Sequence, residues 1–151
     1  MNKYLLCSSV GNGQYSLTSF DDALRKSNLG NYNLVKVSSI LPMKAKRVDH
    51  VDVPEGSILF TAFASMTSRQ AGEVISAAIA VGIPADKTKA GVIMEFADSC
   101  AEFVAEKTVK AMVVEAMAKR KYTIEEILCI STEAACVADQ YSTVFAALAI
   151  W

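Results

Sequence analysis

The stretch Asn33-Leu34-Val35-Lys36-Val37-Ser38-Ser39-Ile40-Leu41-Pro42 is the most informative segment of the chain. Its apolar side chains alternate moderately with polar ones, which is the period of a half-buried β-strand, and we predict a strand over Asn33–Leu41. The Ser38-Ser39 pair falls near the end of that strand, where two small polar residues ordinarily have no special meaning. The periodicity therefore indicates sheet structure and, by itself, no chemistry.

Patterns on both sides of this stretch predict an α+β domain. Strands outnumber helices, and the clearest helix comes late, at Ser99–Lys119, where basic residues close the last turn. This distribution is typical of a mostly antiparallel or mixed sheet covered by helices. The alanines of Val74–Ile83 would suit a helix as well as the strand we favour. The other predicted elements are strands at Tyr4–Ser8, Ser57–Met66, Gly91–Phe96, Ile127–Ser131 and Thr143–Ile150, a turn at Gly11–Gly13, and a flexible link over Met43–Gly56.

A short helix is predicted from Ser19 to about Asn28. Ser19 is a favourable N-cap residue, and Asp22 follows three residues later, where a capping box places its return partner. Gly30 lies where a helix stop belongs. Asp21 and Asp22 would stabilise the positive end of this helix whatever the protein does.

Composition excludes several classes of protein. The 151 residues are 52% hydrophobic and 21% charged, which argues against disorder. The net charge of −1 means that there is no excess of positive charge to bind nucleic acid. His50 is the only histidine, so a multi-histidine metal site is excluded and no metal is expected. The four cysteines form no CxxC pair, no signal peptide is recognised, and no stretch reaches the roughly 18 to 20 apolar residues of a membrane span. We therefore expect a soluble, cytoplasmic protein with free thiols.

Glu95 is the one discordant residue in the predicted strand Gly91–Phe96. By strand parity its side chain points to the other face from those of Val92 and Met94 and to the same face as that of Ile93. Simple exposure to solvent therefore does not explain a carboxylate at this position. A half-buried carboxyl group in a site could instead hold a proton and deliver it to a substrate. The residue types alone leave both interpretations open.

Six further blocks, together with Asn33–Pro42, resemble one enzyme family. The chain is similar to the pyruvoyl-dependent arginine decarboxylases, in which a segment like Asn33–Pro42 is the site of self-cleavage. The blocks follow the family's order and spacing over nearly the whole chain, which makes the combination specific. They are Phe20–Leu24, Gly30–Asn31, Gly72–Ile79, Gly82–Pro84, Gly91–Glu95 and Phe145–Trp151.

The resemblance implies that the chain makes its own prosthetic group. Ser39 Oγ would attack the carbonyl carbon of Ser38, and elimination of the resulting ester would leave Ser38 as a new carboxyl terminus. The dehydroalanine left at position 39 would become a pyruvoyl group with release of ammonia. A 1–38 fragment and a pyruvoyl-bearing 39–151 fragment would then remain together in a single 1–151 domain, an αββα sandwich of mostly antiparallel or mixed sheets. Neither pyridoxal phosphate nor a metal is expected.

The family's activity implies decarboxylation of L-arginine to agmatine, a polyamine precursor, and carbon dioxide, through a Schiff base to the pyruvoyl group. Decarboxylation leaves a carbanion that no protein side chain can delocalise, so a ketone-bearing group is required. By resemblance, Glu95 would be the general acid, and Asn33 would donate its amide to the oxyanion of the acyl shift. Asp21 would pair with the substrate guanidinium. The remaining expected substrate contacts are Ser38, Gly30 and Ile40.

The resemblance also implies a homo-oligomer, either a trimer or a hexamer of two stacked trimers, with active sites between subunits. No nucleic acid or membrane partner is expected. Two alternatives stay open: a decarboxylase for another amino acid such as lysine or histidine, and an uncleaved paralogue that serves as a binding or structural subunit. Retention of Ser38-Ser39, Asn33 and Glu95 argues against the paralogue, and Asp21 favours a basic substrate.

Overall fold

The computed structural model describes residues 1–151, which form nine β-strands and two α-helices. Strands therefore outnumber helices, as the sequence pattern predicts. In chain order the elements are β1 (Lys3–Gly13), α1 (Ser16–Lys26), β2 (Asn33–Lys36), β3 (Ile40–Leu41), β4 (Lys46–Arg47), β5 (Ile58–Ser68), β6 (Val74–Pro84), β7 (Gly91–Asp98), α2 (Glu102–Lys119), β8 (Ile124–Ala135) and β9 (Tyr141–Ile150).

The strands form two sheets. The first has the order β2-β5-β9-β1-β4, with antiparallel pairs in its centre and a parallel pair at each edge. The second has the order β3-β7-β6-β8 and is antiparallel throughout. Helix α1 packs on the first sheet and α2 on the second, while the two sheets face each other. The result is an αββα sandwich, which confirms the predicted α+β class with mixed and antiparallel sheets.

Three apolar clusters fill the spaces between these four layers. The largest lies between the sheets and includes Ile79, Ile93 and Leu148, and one further cluster lies under each helix. Strand β6 is covered on both faces, by the first sheet and by α2, which explains its nearly continuous apolar sequence. Its small residues let α2 pack closely, since a Cβ on Gly82 would lie 2.7 Å from Val113 Cγ1.

The predicted turn at Gly11–Gly13 is wrong, because these residues continue β1. Gly11 pairs with Thr143, and Gly13 pairs with Tyr141, in antiparallel register with β9. Helix α1 lies so close to this part of the strand that a Cβ on Gly11 would come within 2.2 Å of the Ser19 carbonyl oxygen. The glycine at position 11 therefore permits helix packing and does not reverse the chain.

Helix α1 begins earlier than the predicted Ser19. Its N-cap residue is Tyr15, whose backbone N–H donates to Thr18 Oγ1 at 3.3 Å. Ser19 is instead fully buried in the first turns of the helix and shares a hydrogen bond with Thr143 Oγ1 at 2.6 Å. The hydroxyl that suggested a cap therefore fastens the helix to the sheet below it.

Asp22 joins α1 to β1 and does not complete a capping box. Its carboxylate accepts a hydrogen bond from the Asn12 backbone N–H at 3.0 Å and forms ion pairs with Arg25 at 2.6 Å and Lys26 at 2.7 Å. The hydrogen bond from Lys26, followed by those from Asn12 and Arg25, holds the pKa of Asp22 well below its usual range. The helix ends at Lys26, before the predicted stop at Gly30.

The predicted flexible link Met43–Gly56 is anchored at several points. Strand β4 lies within it and pairs in parallel with β1. Asp52 accepts a hydrogen bond from Trp151 Nε1 at 2.7 Å and forms an ion pair with Lys3. The other predicted strands are confirmed as β1 and β5–β9, although the observed strands are longer and β5 begins one residue after the predicted Ser57. Helix α2 begins slightly later than predicted. Neither helix has the length and apolar run that crossing a membrane would require.

Candidate active site

The predicted strand Asn33–Leu41 is interrupted where the chain passes from one sheet to the other. Strand β2 is an edge strand of the first sheet, and β3 is an edge strand of the second. The Val37 backbone N–H still donates to the Thr61 carbonyl at 3.2 Å in the first sheet. The Ser39 carbonyl already accepts from the Ile93 N–H at 2.9 Å in the second. The prediction of one continuous strand is wrong because each half is paired with a different sheet.

Ser39 adopts the left-handed backbone conformation at this crossing, with a φ of 68°. A residue with a Cβ is disfavoured there by about 1–2 kcal/mol, and serine is not among the types that tolerate it readily. The conformation is held from the second sheet, by the bond from Ile93 N–H and by the pairing of Ile40 with Val92. Residues held in such conformations cluster at functional sites, where the strain can be part of the chemistry.

The hydroxyl of Ser39 contacts the carboxylate of Glu95. Ser39 Oγ donates to Glu95 Oε2 at 2.8 Å. Glu95 shares a face of β7 with Ile93, which packs between the sheets, and only 22% of its side chain is exposed. A hydroxyl next to a carboxylate is an arrangement of nucleophile and base. The crossing therefore places a hydroxyl and a carboxylate in contact within one protomer.

Lys36 contacts the second oxygen of this carboxylate. Its Nζ lies 3.8 Å from Glu95 Oε1 and 4.7 Å from the centroid of the Phe63 ring. Phe63 in turn packs against Phe20 and Phe145 beneath α1. One carboxylate oxygen thus faces a cation from the first sheet, and the other faces Ser39.

A cleft of about 350 Å³ opens beside the crossing. Strand β3 pairs only with Gly91 and Val92, so the following residues of β7 are open to this cleft. Its walls are mostly apolar, and the charged residues that line it are Glu95 and Arg120. The other lining residues are Val37, Ser38, Ser39, Ile40, Val92, Ile93, Met94 and Met112.

Three other predicted site residues lie outside this cleft. The Asn33 side-chain amide donates to the Gly56 carbonyl at 2.8 Å. Gly30 lines a second cavity of about 400 Å³, together with His50. Asp21 is exposed on α1 and lines neither cavity. The protomer therefore brings together Ser38, Ser39, Ile40 and Glu95, but not Asn33, Gly30 or Asp21.

Met112 and Arg120 line the cleft although nothing in the sequence pattern pointed to them. Both belong to α2 or its C-cap, and the predicted bounds of that helix were nearly right. Which face of α2 meets residue 39 depends on how the helix packs on the second sheet. In the sequence, Lys119-Arg120-Lys121 is recognisable only as a basic helix end.

The remaining chemically capable side chains are not organised into a second site. Burial raises the pKa of Cys7 to about 12 and that of Cys129 to about 11, so both thiols stay protonated at neutral pH and are poor nucleophiles. All four cysteines are free. No three His, Cys, Asp or Glu side chains are placed to share a metal ion.

Comparison with known proteins identifies the family of this chain. A sequence model described as pyruvoyl-dependent arginine decarboxylase matches residues 3–151. The chain is similar to proteins of that name from Methanococcus aeolicus and Methanocaldococcus jannaschii, each 37% identical over 150 residues, or 99% of this chain and 90% of the relative. A protein of the same name from Pyrococcus abyssi is 36% identical over 133 residues, or 87% of this chain and 84% of the relative. The chain therefore belongs to the pyruvoyl-dependent arginine decarboxylase family.

Proposed function

We propose that this protein decarboxylates L-arginine to agmatine and carbon dioxide, with a pyruvoyl group that it makes from Ser39. The observation that carries the proposal is the 2.8 Å contact of Ser39 Oγ with Glu95 Oε2, at a strained crossing between the sheets. Membership of the family and the names of the relatives support the reaction and the substrate.

The surroundings of Ser39 fit a group made from this residue, because its hydroxyl is next to a base. In the proposed maturation, Glu95 Oε2 takes the hydroxyl proton while Ser39 Oγ attacks the carbonyl carbon of Ser38. The Ser38–Ser39 amide C–N bond breaks, the Ser39 nitrogen takes a proton, and the Ser38 acyl group becomes an ester on Oγ. Loss of the Cα proton of residue 39 then expels Ser38 as a carboxylate. The dehydroalanine left behind tautomerises to an imine, which water hydrolyses to a ketone and ammonia.

Glu95 has a second task in this proposal. When formed, the pyruvoyl group supplies a ketone that takes the substrate amine as a Schiff base and accepts the electron pair released with carbon dioxide. Maturation consumes the Ser39 hydroxyl that Glu95 binds, so the carboxyl group of Glu95 is then free to face the substrate. We assign to it the proton that replaces carbon dioxide on the substrate Cα. The apolar walls of the cleft limit water around this carbon.

Substrate recognition in this proposal involves a second subunit. Asp21 is exposed, and on the same face one turn earlier Leu17 is 75% exposed, with Tyr15 nearby at 72%. A subunit contact would cover these apolar side chains. We therefore propose a trimer, or a hexamer of two trimers, in which the partner subunit's Asp21 reaches the cleft. A carboxylate pairs with a planar guanidinium through two parallel hydrogen bonds, which favours arginine over lysine or histidine.

Asn33 is proposed as the oxyanion donor of the acyl shift. For that role its amide has to leave the Gly56 carbonyl that it binds in the protomer. Gly30 is proposed to contact substrate from the second cavity, which also requires a neighbouring subunit to complete the site.

Two alanine variants test the proposal, with intact mass under denaturing conditions as the first measurement. Wild-type protein should give two fragments, 1–38 and 39–151, the larger one reactive toward carbonyl reagents and the pair active on L-arginine. Ser39→Ala should remain one chain without a carbonyl. Ser38→Ala is the matched control and should still cleave, because the attacking oxygen belongs to residue 39. A wild-type chain that stays whole, without a carbonyl, would overturn the proposal and favour the uncleaved paralogue.

A further inference from the structure

We infer that Arg120 binds the α-carboxylate of the substrate. It is the only cationic residue lining the cleft at Ser39. The inference rests on the proposed function, because it takes residue 39 as the point where the substrate amine is attached.

The guanidinium of Arg120 is anchored and retains free donors. Its Nη1 donates to the Ala116 carbonyl at 3.0 Å, at the C-terminal end of α2, where the helix dipole favours a cation. A guanidinium carries five N–H donors, and no acidic side chain of the protomer forms an ion pair with Arg120. The adjacent Lys119, by contrast, is paired with Glu115. Arg120 is thus positioned with donors left for an anion.

The chemistry of the substrate brings a carboxylate into this cleft. An α-amino acid carries its amine and its carboxylate on one carbon, so attachment of the amine at residue 39 confines the carboxylate to the same space. Glu95 carries no positive charge to pair with this carboxylate, and the aliphatic and thioether walls offer it no strong hydrogen-bond donors. Arg120 is the complementary group, and it also repels the guanidinium end of the substrate. The charge of Arg120 would therefore set the orientation of the bound amino acid.

The ion pair between Arg120 and the substrate carboxylate exists in the ground state and is lost as carbon dioxide leaves. An interaction of that kind strengthens substrate binding without stabilising the transition state. Removing Arg120 should therefore raise KM and leave kcat unchanged or higher, whereas loss of the Glu95 acid lowers turnover. Agmatine has no carboxylate, so the same residue would hold the substrate and release the product.

The test compares the binding of two inert probes to the processed, carbonyl-bearing protein by calorimetry. 5-Guanidinopentanoate has a guanidinium and a carboxylate but no α-amine, and n-butylguanidine lacks the carboxylate. We expect Arg120→Met to lose about tenfold in affinity for 5-guanidinopentanoate, the lower range for a charged hydrogen bond. Its affinity for n-butylguanidine should be unchanged or slightly higher, which also shows that the cleft is still folded. Arg120→Lys should recover part of the loss.

Lys121→Met is the matched control. It removes the same charge beside the same helix end, but Lys121 lines a different cavity, so both affinities should stay at the wild-type level. Equal weakening of the two probes in Arg120→Met, or a wild-type protein that does not prefer the carboxylate probe, would overturn the inference. A fall in kcat with normal KM would overturn it as well. Failure of the proposed function is recognised separately, by protein that forms no carbonyl before either probe is added.

Discussion

Replacement of Glu95 by glutamine tests the site most directly, because it changes the chemistry and little else. The glutamine amide oxygen can still accept the Ser39 hydroxyl bond, which is 2.8 Å long in the wild-type protein. It can neither take the hydroxyl proton during maturation nor release a proton to the substrate. The ion pair lost with Lys36 spans 3.8 Å to a side chain that is 56% exposed. Stability should therefore change by less than about 1 kcal/mol.

We expect Glu95→Gln to show two separate defects. A positioned base or acid contributes about 10²- to 10⁴-fold, so cleavage at Ser38–Ser39 should slow by about that factor, and turnover per pyruvoyl group should fall by a similar one. Intact mass over time measures cleavage, carbonyl labelling counts the pyruvoyl groups, and agmatine release is divided by that count. Lys36→Met is the control, because it removes the same ion pair but keeps the carboxylate, and it should mature much faster than Glu95→Gln.

Each defect can be refuted on its own. Glu95→Gln that cleaves at the wild-type rate would show that Glu95 is not the base of maturation. Wild-type turnover per carbonyl would show that it is not the acid of decarboxylation. An unfolding midpoint of Glu95→Gln that falls further than the loss of the exposed ion pair can explain would mean that the substitution has disturbed the fold. Lys36→Met loses the same ion pair, so its midpoint measures how much of the fall the ion pair accounts for.

Three further predictions concern stability, measured by denaturant unfolding. Ser39→Gly should be about 1 kcal/mol more stable than Ser39→Ala, since neither cleaves and only glycine is unstrained at a φ of 68°; equal stability would mean that residue 39 stores no strain. Asp22→Asn should lose about 1 kcal/mol at neutral pH. Because the folded-state pKa of Asp22 is depressed, this stabilisation is present above the ordinary aspartate pKa of about 3.9 and is lost as the pH falls below it, so a pH-independent difference would contradict the assignment. Gly11→Ala should lower the free energy of unfolding by about 3 kcal/mol, since its Cβ would meet the α1 backbone at 2.2 Å. Gly72→Ala, in open space at a φ of 80°, should lower it by only about 1 kcal/mol, and equal losses would refute the packing explanation.

The elements that local patterns could predict are those whose burial is regular. Strands β5, β6, β7 and β9 are largely apolar runs, and this pattern survives packing. Helix α2 is not clearly two-faced, and the basic residues at its end helped to place it. The errors arise where a contact between distant segments replaces a local rule. Gly11 has the composition of a turn but accommodates α1, and Ser19 has the chemistry of a cap but bonds to Thr143.

The residues of the site divide in the same way, into those that a local pattern indicates and those that depend on contacts between distant segments. The resemblance directed attention to Ser39 and Glu95, which the structure places in contact. It could not indicate Arg120, because no local signal reports which end of α2 reaches the crossing. The roles of Asn33, Gly30 and Asp21 stay predictions, since these residues lie outside the cleft of the protomer.

The proposed cut falls where the chain can be severed without loss of either sheet. Fragment 1–38 would hold β1, α1 and β2, and β1 pairs with β9 from Tyr4 to Gly13 in the interior of the first sheet. The new terminus at residue 39 would precede β3, which the pairing of Ile40 with Val92 holds to the second sheet. A cut within β1 or β5 would divide a strand that is paired along its length, whereas a cut at the crossing lies between strands. Cleavage there would free Ser39 from a left-handed conformation and leave the strand pairs on both sides intact. The two fragments should therefore migrate together in gel filtration and separate only in denaturant.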